Sequence, residues 1–528
     1  MRLRPEFTFT DLLVNATERD PSAVAVVDGA SRYTFGDLSD QSAALCRRLI
    51  ELGVGKGERV GIYMEKSWEG IVAMLAATRA GAAFVNINPL LKPAQVSYIA
   101  GDCGMRCLIA DSTKLDTLDG GIAQHALYKG PPPRSWAGAT DIAEVLTGEG
   151  GHPGRPSLET DLATILYTSG STGRPKGVAF SQHNLVVGAQ IVGHYLENTA
   201  DDRILSVLPF SFDYGLNQLT TAIRAGATLI IQHSRLPGDL LRGLRSSGAT
   251  GLAGVPPLWS LLLRSSRTLA DEPLTGLRYV TNSGGRIPQA NLDQLRQLLP
   301  GTRIFLMYGL TEAFRSTYLP PEEIGRGSEC IGRPIPNTEI LVIRDGRECG
   351  PGEVGELVHR GPTVAQGYWG DEEATQRAYR PHPLAMPELL NGERVVYSGD
   401  LVRREDEGYL YFVGRDDAMI KSGGYRMSPE EIEEILMGSE LVREACAFGE
   451  PDAEVGQHIV AVITLREGPD GSEGPDGSAV EAIRDHAMRN APPYMVPARL
   501  HVVDELPRTP SGKIDRKSIT ATYGAGEG

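Results

Sequence analysis

The chain has 528 residues, 41% of them hydrophobic and 23% charged, which excludes a disordered or fibrous protein and is too long for a single hydrophobic core. A formal charge of −15 at pH 7 argues against nucleic-acid or acidic-membrane binding, because a negative field repels phosphate polymers, so any phosphate site must be local. Six cysteines without paired spacings (Cys46, Cys103, Cys107, Cys330, Cys349, Cys446) suit buried thiols in a reducing compartment.

The start, Met1 to Glu6, meets Pro and Glu before any apolar run and does not read as a signal peptide. No stretch offers about 18 uninterrupted apolar residues for a membrane span. The expected location is the cytoplasm. Through the first four hundred or so residues, short β-branched runs alternate with stretches at helical spacing, the pattern of layered α/β structure. The strand-like Arg59–Tyr63 precedes the helix-like Gly70–Thr78, and Ala227–Gln232 precedes Leu240–Leu244. Loops rich in Gly and Pro are expected at Gly130–Arg134 and Thr147–Ser157.

After Gly414 the rhythm changes. Ser428-Pro-Glu-Glu431 opens a helix through Met437, with Pro at its first position, and the strand His458–Leu465 and helix Ala479–Arg489 follow. The expected fold is α/β: a large N-terminal domain of layered α/β subdomains (1–415) and a small mobile C-terminal α+β domain (416–528). The polar repeat Gly468-Pro-Asp-Gly-Ser472, Gly474-Pro-Asp-Gly-Ser478 reads as a surface loop.

The most informative segment is Tyr167-Thr-Ser-Gly-Ser-Thr-Gly-Arg-Pro-Lys-Gly177, which follows the strand-like Ala163–Tyr167. Its glycines let backbone N–H groups turn inward, Ser169, Ser171 and Thr172 add hydroxyl donors and Lys176 adds a charge, together a cradle for phosphate. It is not a Walker loop, since Lys176 lies between Pro175 and Gly177 rather than before Ser or Thr.

This loop closely resembles the signature of the adenylate-forming superfamily of acyl-CoA synthetases, peptide-synthetase adenylation domains and luciferases. The other motifs of that superfamily follow in order: Ser283-Gly-Gly285, Tyr308-Gly-Leu-Thr-Glu312, Gly355-Glu-Leu357 with Tyr368, Tyr397-Ser-Gly-Asp400, Gly414-Arg415, Lys421-Ser-Gly-Gly-Tyr425 and Pro510-Ser-Gly-Lys513. The resemblance implies that ATP is held by Thr168, Ser169, Ser171, Thr172, Lys176, Gly284, Tyr308, Asp400 and Arg415, the last two at the ribose. It implies catalytic roles for Thr311, Glu312 and Lys513, with Mg2+ on Glu312. Asp416 and Asp417 fall at the hinge, and Gly423 and Gly424 face the thiol acceptor.

The implied chemistry is attack of a carboxylate on the α-phosphorus of ATP, giving an acyl-adenylate and pyrophosphate, followed by transfer of the acyl group to a thiol. Two anions repel as they approach, which is why cations and preorganised donors are needed there. Phe212-Asp213 is similar to the Phe-Asp of peptide-synthetase adenylation domains, whose aspartate pairs with the ammonium of an amino acid. Asp213 also precedes a helix-like stretch, Gly215–Ile223, so helix capping is the other reading. By the same resemblance Tyr214, Asn217, Gly254, Val280, Asn282, Met307, Arg315 and Ser316 line the acid pocket. Arg315 either faces the substrate, pairing with a second carboxylate or polar tail, or faces out as a surface arginine.

The thiol acceptor is read as a separate carrier protein or coenzyme A, since no Gly-Gly-x-Ser phosphopantetheine site stands in these residues. The wording around Asp213 and Lys421–Pro429 also resembles bacterial acyl-CoA ligases associated with exopolysaccharide and protein-sorting clusters. An acyl-CoA ligase for a short or polar acid is therefore the alternative. A nucleotide-binding regulator without catalysis is disfavoured by the joint presence of Lys176, Glu312, Asp400 and Lys513. The spacing leaves the oligomeric state open.

Overall fold

The structure, a computed structural model, describes residues 4–148, 154–168, 175–234, 236–384, 393–415, 419–466, 477–507 and 514–524. Ser169, Ser171, Thr172, Asp416, Asp417, Lys513 and most of the Gly-Pro-Asp-Gly-Ser repeat lie outside the described residues. The fold is mixed α/β with a large N-terminal and a small C-terminal domain.

Two large sheets form the N-terminal body. In one, Arg59–Tyr63 runs parallel between Ala83–Asn86 and Met105–Asp111, and the hairpin Leu162–Thr168/Lys176–Ser181 continues the sheet beyond Ala83–Asn86. In the other, Thr228–Ile231, Arg203–Ser206, Gly251–Gly254, Tyr279–Asn282 and Arg303–Tyr308 lie side by side and parallel. The helix Trp68–Arg79 shows why the two layers hold together: nearly every residue of it is buried, so it is apolar all round rather than on one stripe. Ser67 caps it by accepting the Gly70 N–H.

Elements expected from spacing appear with small changes of boundary. The strand Arg59–Tyr63 is as expected, Gly70–Thr78 extends to Trp68–Arg79, and Leu240–Leu244 extends to Pro237–Ser246. Pro429 opens the helix Pro429–Met437, and the C-terminal strand and helix span Gly456–Leu465 and Gly477–Asn490. Described residues between Ile420 and Val502 pack a core of their own, including Ile432, Leu436, Val442, Ala461 and Ile483. All six cysteines are free and buried. Among the described residues no helix is long and apolar enough to cross a membrane.

Candidate active site

Ligand sites in open parallel sheets gather where the strands end at their carboxyl side. Here Gly254, Asn282 and Met307 lie at or beside the ends of three neighbouring parallel strands, with Gly254 and Asn282 in direct register. Across from them the helix Asp213–Ala225 begins, folded tightly onto the turn that precedes it, since a Cβ on Gly215 would overlap the Pro209 carbonyl. The Tyr214 hydroxyl ties this helix start, which carries Asp213, Tyr214 and Asn217, to the strand Tyr279–Asn282 at the Thr281 carbonyl.

Asp213 is not the helix cap. Phe212 occupies that position with extended backbone and no side-chain capping bond, while Asp213 is the first helical residue. The carboxylate is 4% exposed and its Oδ1 has no hydrogen-bond partner. Burial pushes its pKa up to about 6, against the downward pull of Arg315.

Arg315 is not a surface residue. It is 2% exposed, and its Nη1 donates to Ser283 Oγ at 2.7 Å while its guanidinium carbon stands 4.7 Å from the centre of the Tyr214 ring. The reason is a tight turn at Phe314, whose φ of 62° is uncommon for a residue with a side chain. The Arg315 N–H donates to the Ala313 carbonyl at 2.7 Å, closing a three-residue γ-turn that reverses the chain and carries Arg315 inward. Gly188 admits the Phe314 ring, since a Cβ there would lie 2.4 Å from a ring carbon.

The remaining wall is largely fixed by its own bonds. Tyr214 donates to the Thr281 carbonyl at 2.8 Å, and the Asn282 amide accepts from Trp259 Nε1 at 2.9 Å and donates to the Gly285 carbonyl at 2.9 Å. The space a side chain on Gly254 would need is filled by Leu258 and Trp259. Val280 is buried in the neighbouring core, Met307 Sδ accepts the Tyr195 hydroxyl, and the Asn217 amide reaches Thr220. Ser316 contacts the imidazole of His359, whose other nitrogen meets Thr363, both at 3.0 Å. Burial lowers the pKa of His359 to about 3, so it is neutral at physiological pH. His359 had no motif to mark it.

On the nucleotide side, Thr168 and Lys176 pair across the hairpin that carries the glycine-rich loop. The Lys176 ammonium stands 5.4 Å from the centre of the Tyr368 ring, and the Tyr368 hydroxyl donates to Glu312 Oε1 at 2.7 Å. Glu312 Oε2 is buried without a partner, and Thr311 precedes it on the same short 3-10 turn. Tyr308 donates its hydroxyl to Asp400, and Asp400 stands opposite Arg415 in the antiparallel register. Ser398 positions Asp400 by accepting its N–H at 3.1 Å. Among the described residues no cluster of three or more His, Cys, Asp or Glu side chains is placed to hold a metal ion. The buried, unpartnered Oε2 of Glu312 could serve as one carboxylate ligand to a magnesium ion.

The small domain closes on this cleft. A Cβ on Gly424 would meet Val255 at 3.1 Å, and the Gly424 carbonyl stands 3.8 Å from the Cβ position of Gly284. Gly423 and Gly424 both have left-handed φ, 61° and 84°, which suits glycine at this tight approach. Arg426, two residues on, reaches the same site. Burial raises the pKa of both Tyr308 and Tyr368, and the Arg426 charge opposes it in each. Arg426 was not singled out in the sequence, although it stands in the Lys421–Pro429 stretch.

The sequence profile of the AMP-binding enzyme family matches residues 13–369, and that of the AMP-binding enzyme C-terminal domain matches residues 431–513. Novobiocin biosynthesis protein H from Streptomyces niveus is 30% identical over 99% of this chain and 84% of that protein. Tyrocidine synthase 3 from Brevibacillus parabrevis is 30% identical over 98% of this chain, which spans only 8% of its length. Of solved structures, a double mutant of o-succinylbenzoate CoA synthetase from Bacillus subtilis, bound with its product analogue OSB-NCoA, has a TM-score of 0.81 at 24% identity over 98% of both chains. The same synthetase in complex with its acyl-adenylate intermediate has a TM-score of 0.68 at 25% identity, again over 98% of both chains.

Proposed function

The chain belongs to the AMP-binding enzyme family, ligases that activate an acid with ATP as its adenylate, and on that premise we propose that its acid is an amino acid whose ammonium pairs with Asp213. The observation that carries this reading is the buried, unpartnered Oδ1 of Asp213. A buried carboxylate oxygen without a partner is costly, and a substrate ammonium would supply the missing donor together with a positive charge.

The acyl group would then pass to a phosphopantetheine thiol on a separate carrier protein or coenzyme A. Lys176 and the loop it closes would stabilise the leaving pyrophosphate, Asp400 and Arg415 would hold the ribose, and Glu312 would hold Mg2+ beside Thr311. When bound, that ion supplies charge neutralisation to the phosphates. Lys513 would bridge the acid and the α-phosphate during adenylation. A hinge at Asp416–Asp417, dividing 1–415 from 416–528, would then swing Gly423 and Gly424 in for thiol transfer. Two observations favour the second arrangement here: Gly424 packs against Val255, and the fold matches the CoA-product form of the synthetase better than its adenylate form. Buried free thiols suit a cytoplasmic enzyme, and relatives in antibiotic biosynthesis suit a role in secondary metabolism.

The second reading is an acyl-CoA ligase for a plain acid, favoured by Arg315, which already lends Asp213 a nearby positive charge. Asp213→Ala separates the two in ATP–pyrophosphate exchange. If Asp213 binds an ammonium, the variant loses a contact of about 2–5 kcal/mol and at least tens of fold in activity on the amino acid. It should gain relatively on the desamino analogue. Equal loss on both, or a wild type that prefers the plain acid, moves the acyl-CoA ligase into first place.

A further inference from the structure

We infer that the acid carries a second carboxylate bound by the Nε and Nη2 edge of Arg315, which makes the substrate an amino dicarboxylic acid. The inference rests on the amino-acid reading and adds the chemistry of the side chain.

The guanidinium is fixed at one end and bare at the other. Ser283 takes Nη1, the Tyr214 ring stands against the group, and Nε and Nη2 are buried with no hydrogen-bond partner. These two nitrogens form one edge of the planar group, and their N–H bonds project side by side as the fork that a carboxylate accepts with its two oxygens. A planar guanidinium held this way is suited to bidentate recognition, which a lysine ammonium cannot reproduce.

The placement of charge points to the same class of ligand. Asp213 and Arg315 are both buried and close enough for one to shift the other, yet no direct ion pair joins them and each keeps unpartnered polar atoms. A wall with separated opposite charges is complementary to a ligand with separated opposite charges. An ammonium would meet Asp213 and a distal carboxylate Arg315, leaving the α-carboxylate for adenylation. An apolar amino acid would strand the Arg315 edge, and a plain dicarboxylic acid would strand Asp213.

The fold holds Arg315 there deliberately in the physical sense that several independent features are needed for it. The γ-turn at Phe314, the open space at Gly188 and the close approach of Gly309 to the Arg315 backbone act together, since a Cβ on Gly309 would lie 2.9 Å from the Arg315 Cα.

The test is ATP–pyrophosphate exchange by the full chain with aspartate, glutamate and 2-aminoadipate. Controls are asparagine, glutamine, norvaline and leucine, with succinate and glutarate as desamino acids. One amino dicarboxylate should exceed its size-matched apolar counterpart in kcat/KM by about 100-fold and its amide by about tenfold. Arg315→Leu should collapse the first ratio to near one. Arg315→Lys, which keeps the charge but not the fork, should fall between. A wild type that prefers an apolar or amide amino acid to every amino dicarboxylate overturns this inference and leaves the amino-acid reading standing. Preference for succinate or glutarate over their amino counterparts instead overturns the ammonium reading. Should Arg315→Leu fail to fold, the wild-type ratios alone decide.

Discussion

On the proposed nucleotide wall of the cleft, two carboxylates, Glu312 and Asp400, each accept a tyrosine hydroxyl, from Tyr368 and Tyr308, although Glu312 keeps its second oxygen buried without a partner. On the proposed acid wall two groups of opposite charge, Asp213 and Arg315, keep unpartnered atoms, and among the described residues no side-chain hydroxyl bonds the Asp213 carboxylate. The difference reflects what each wall meets. A nucleotide is large and offers many contacts, so its site can be shaped in advance by bonds within the protein. A small acid has few groups with which to be told apart from its relatives. Leaving a buried charge unpaired makes the wrong acid costly, because rejecting a ligand that lacks a needed polar group discriminates far more strongly than filling an apolar pocket.

This contrast predicts a conflict between stability and function on the acid wall. With the folded-state pKa of Asp213 raised to about 6, its penalty is absent below the ordinary carboxylate value and fully present above the raised one. Asp213→Asn should therefore stabilise the ligand-free protein at neutral pH by about 2–3 kcal/mol while impairing activity. The gain should shrink as pH falls from about 6 toward about 4. Denaturant titrations across that range check it, and a variant less stable at pH 7.5 than wild type would show that the carboxylate is already satisfied.

The nucleotide wall should respond less and in a different parameter. Tyr368→Phe removes one hydrogen bond to Glu312 at a cost of about 1 kcal/mol. The KM for magnesium–ATP should rise about fivefold, the equivalent of that energy, with the KM for the acid little changed. A larger effect on the acid than on the nucleotide would mean that the two walls are not separable in this way.

Much of the fold was legible in the sequence because it rests on local periodicity. The strand Arg59–Tyr63 and the helix begun by Pro429 needed only their own neighbours. On the nucleotide side, residues that motifs singled out are brought together, with Lys176 and Glu312 both beside Tyr368. The acid wall was less legible. Whether Arg315 faces in or out is decided by one positive φ at Phe314 and by room left at Gly188, far away in the chain. The role of Asp213 is separated from capping only by the helix start, which lies one residue earlier than a cap at Asp213 requires. His359 holds Ser316 through a neutral, buried contact that leaves no pattern along the chain.

The most direct test of the account is a screen in which purified protein receives ATP, Mg2+ and either single amino acids or their desamino analogues, with nucleotide products and pyrophosphate exchange followed together. The account predicts that an amino acid drives exchange, that AMP and pyrophosphate form in step with its activation, and that its desamino analogue is activated far more slowly. Release of ADP as the stoichiometric product, or consistent preference for the desamino acid, would contradict it.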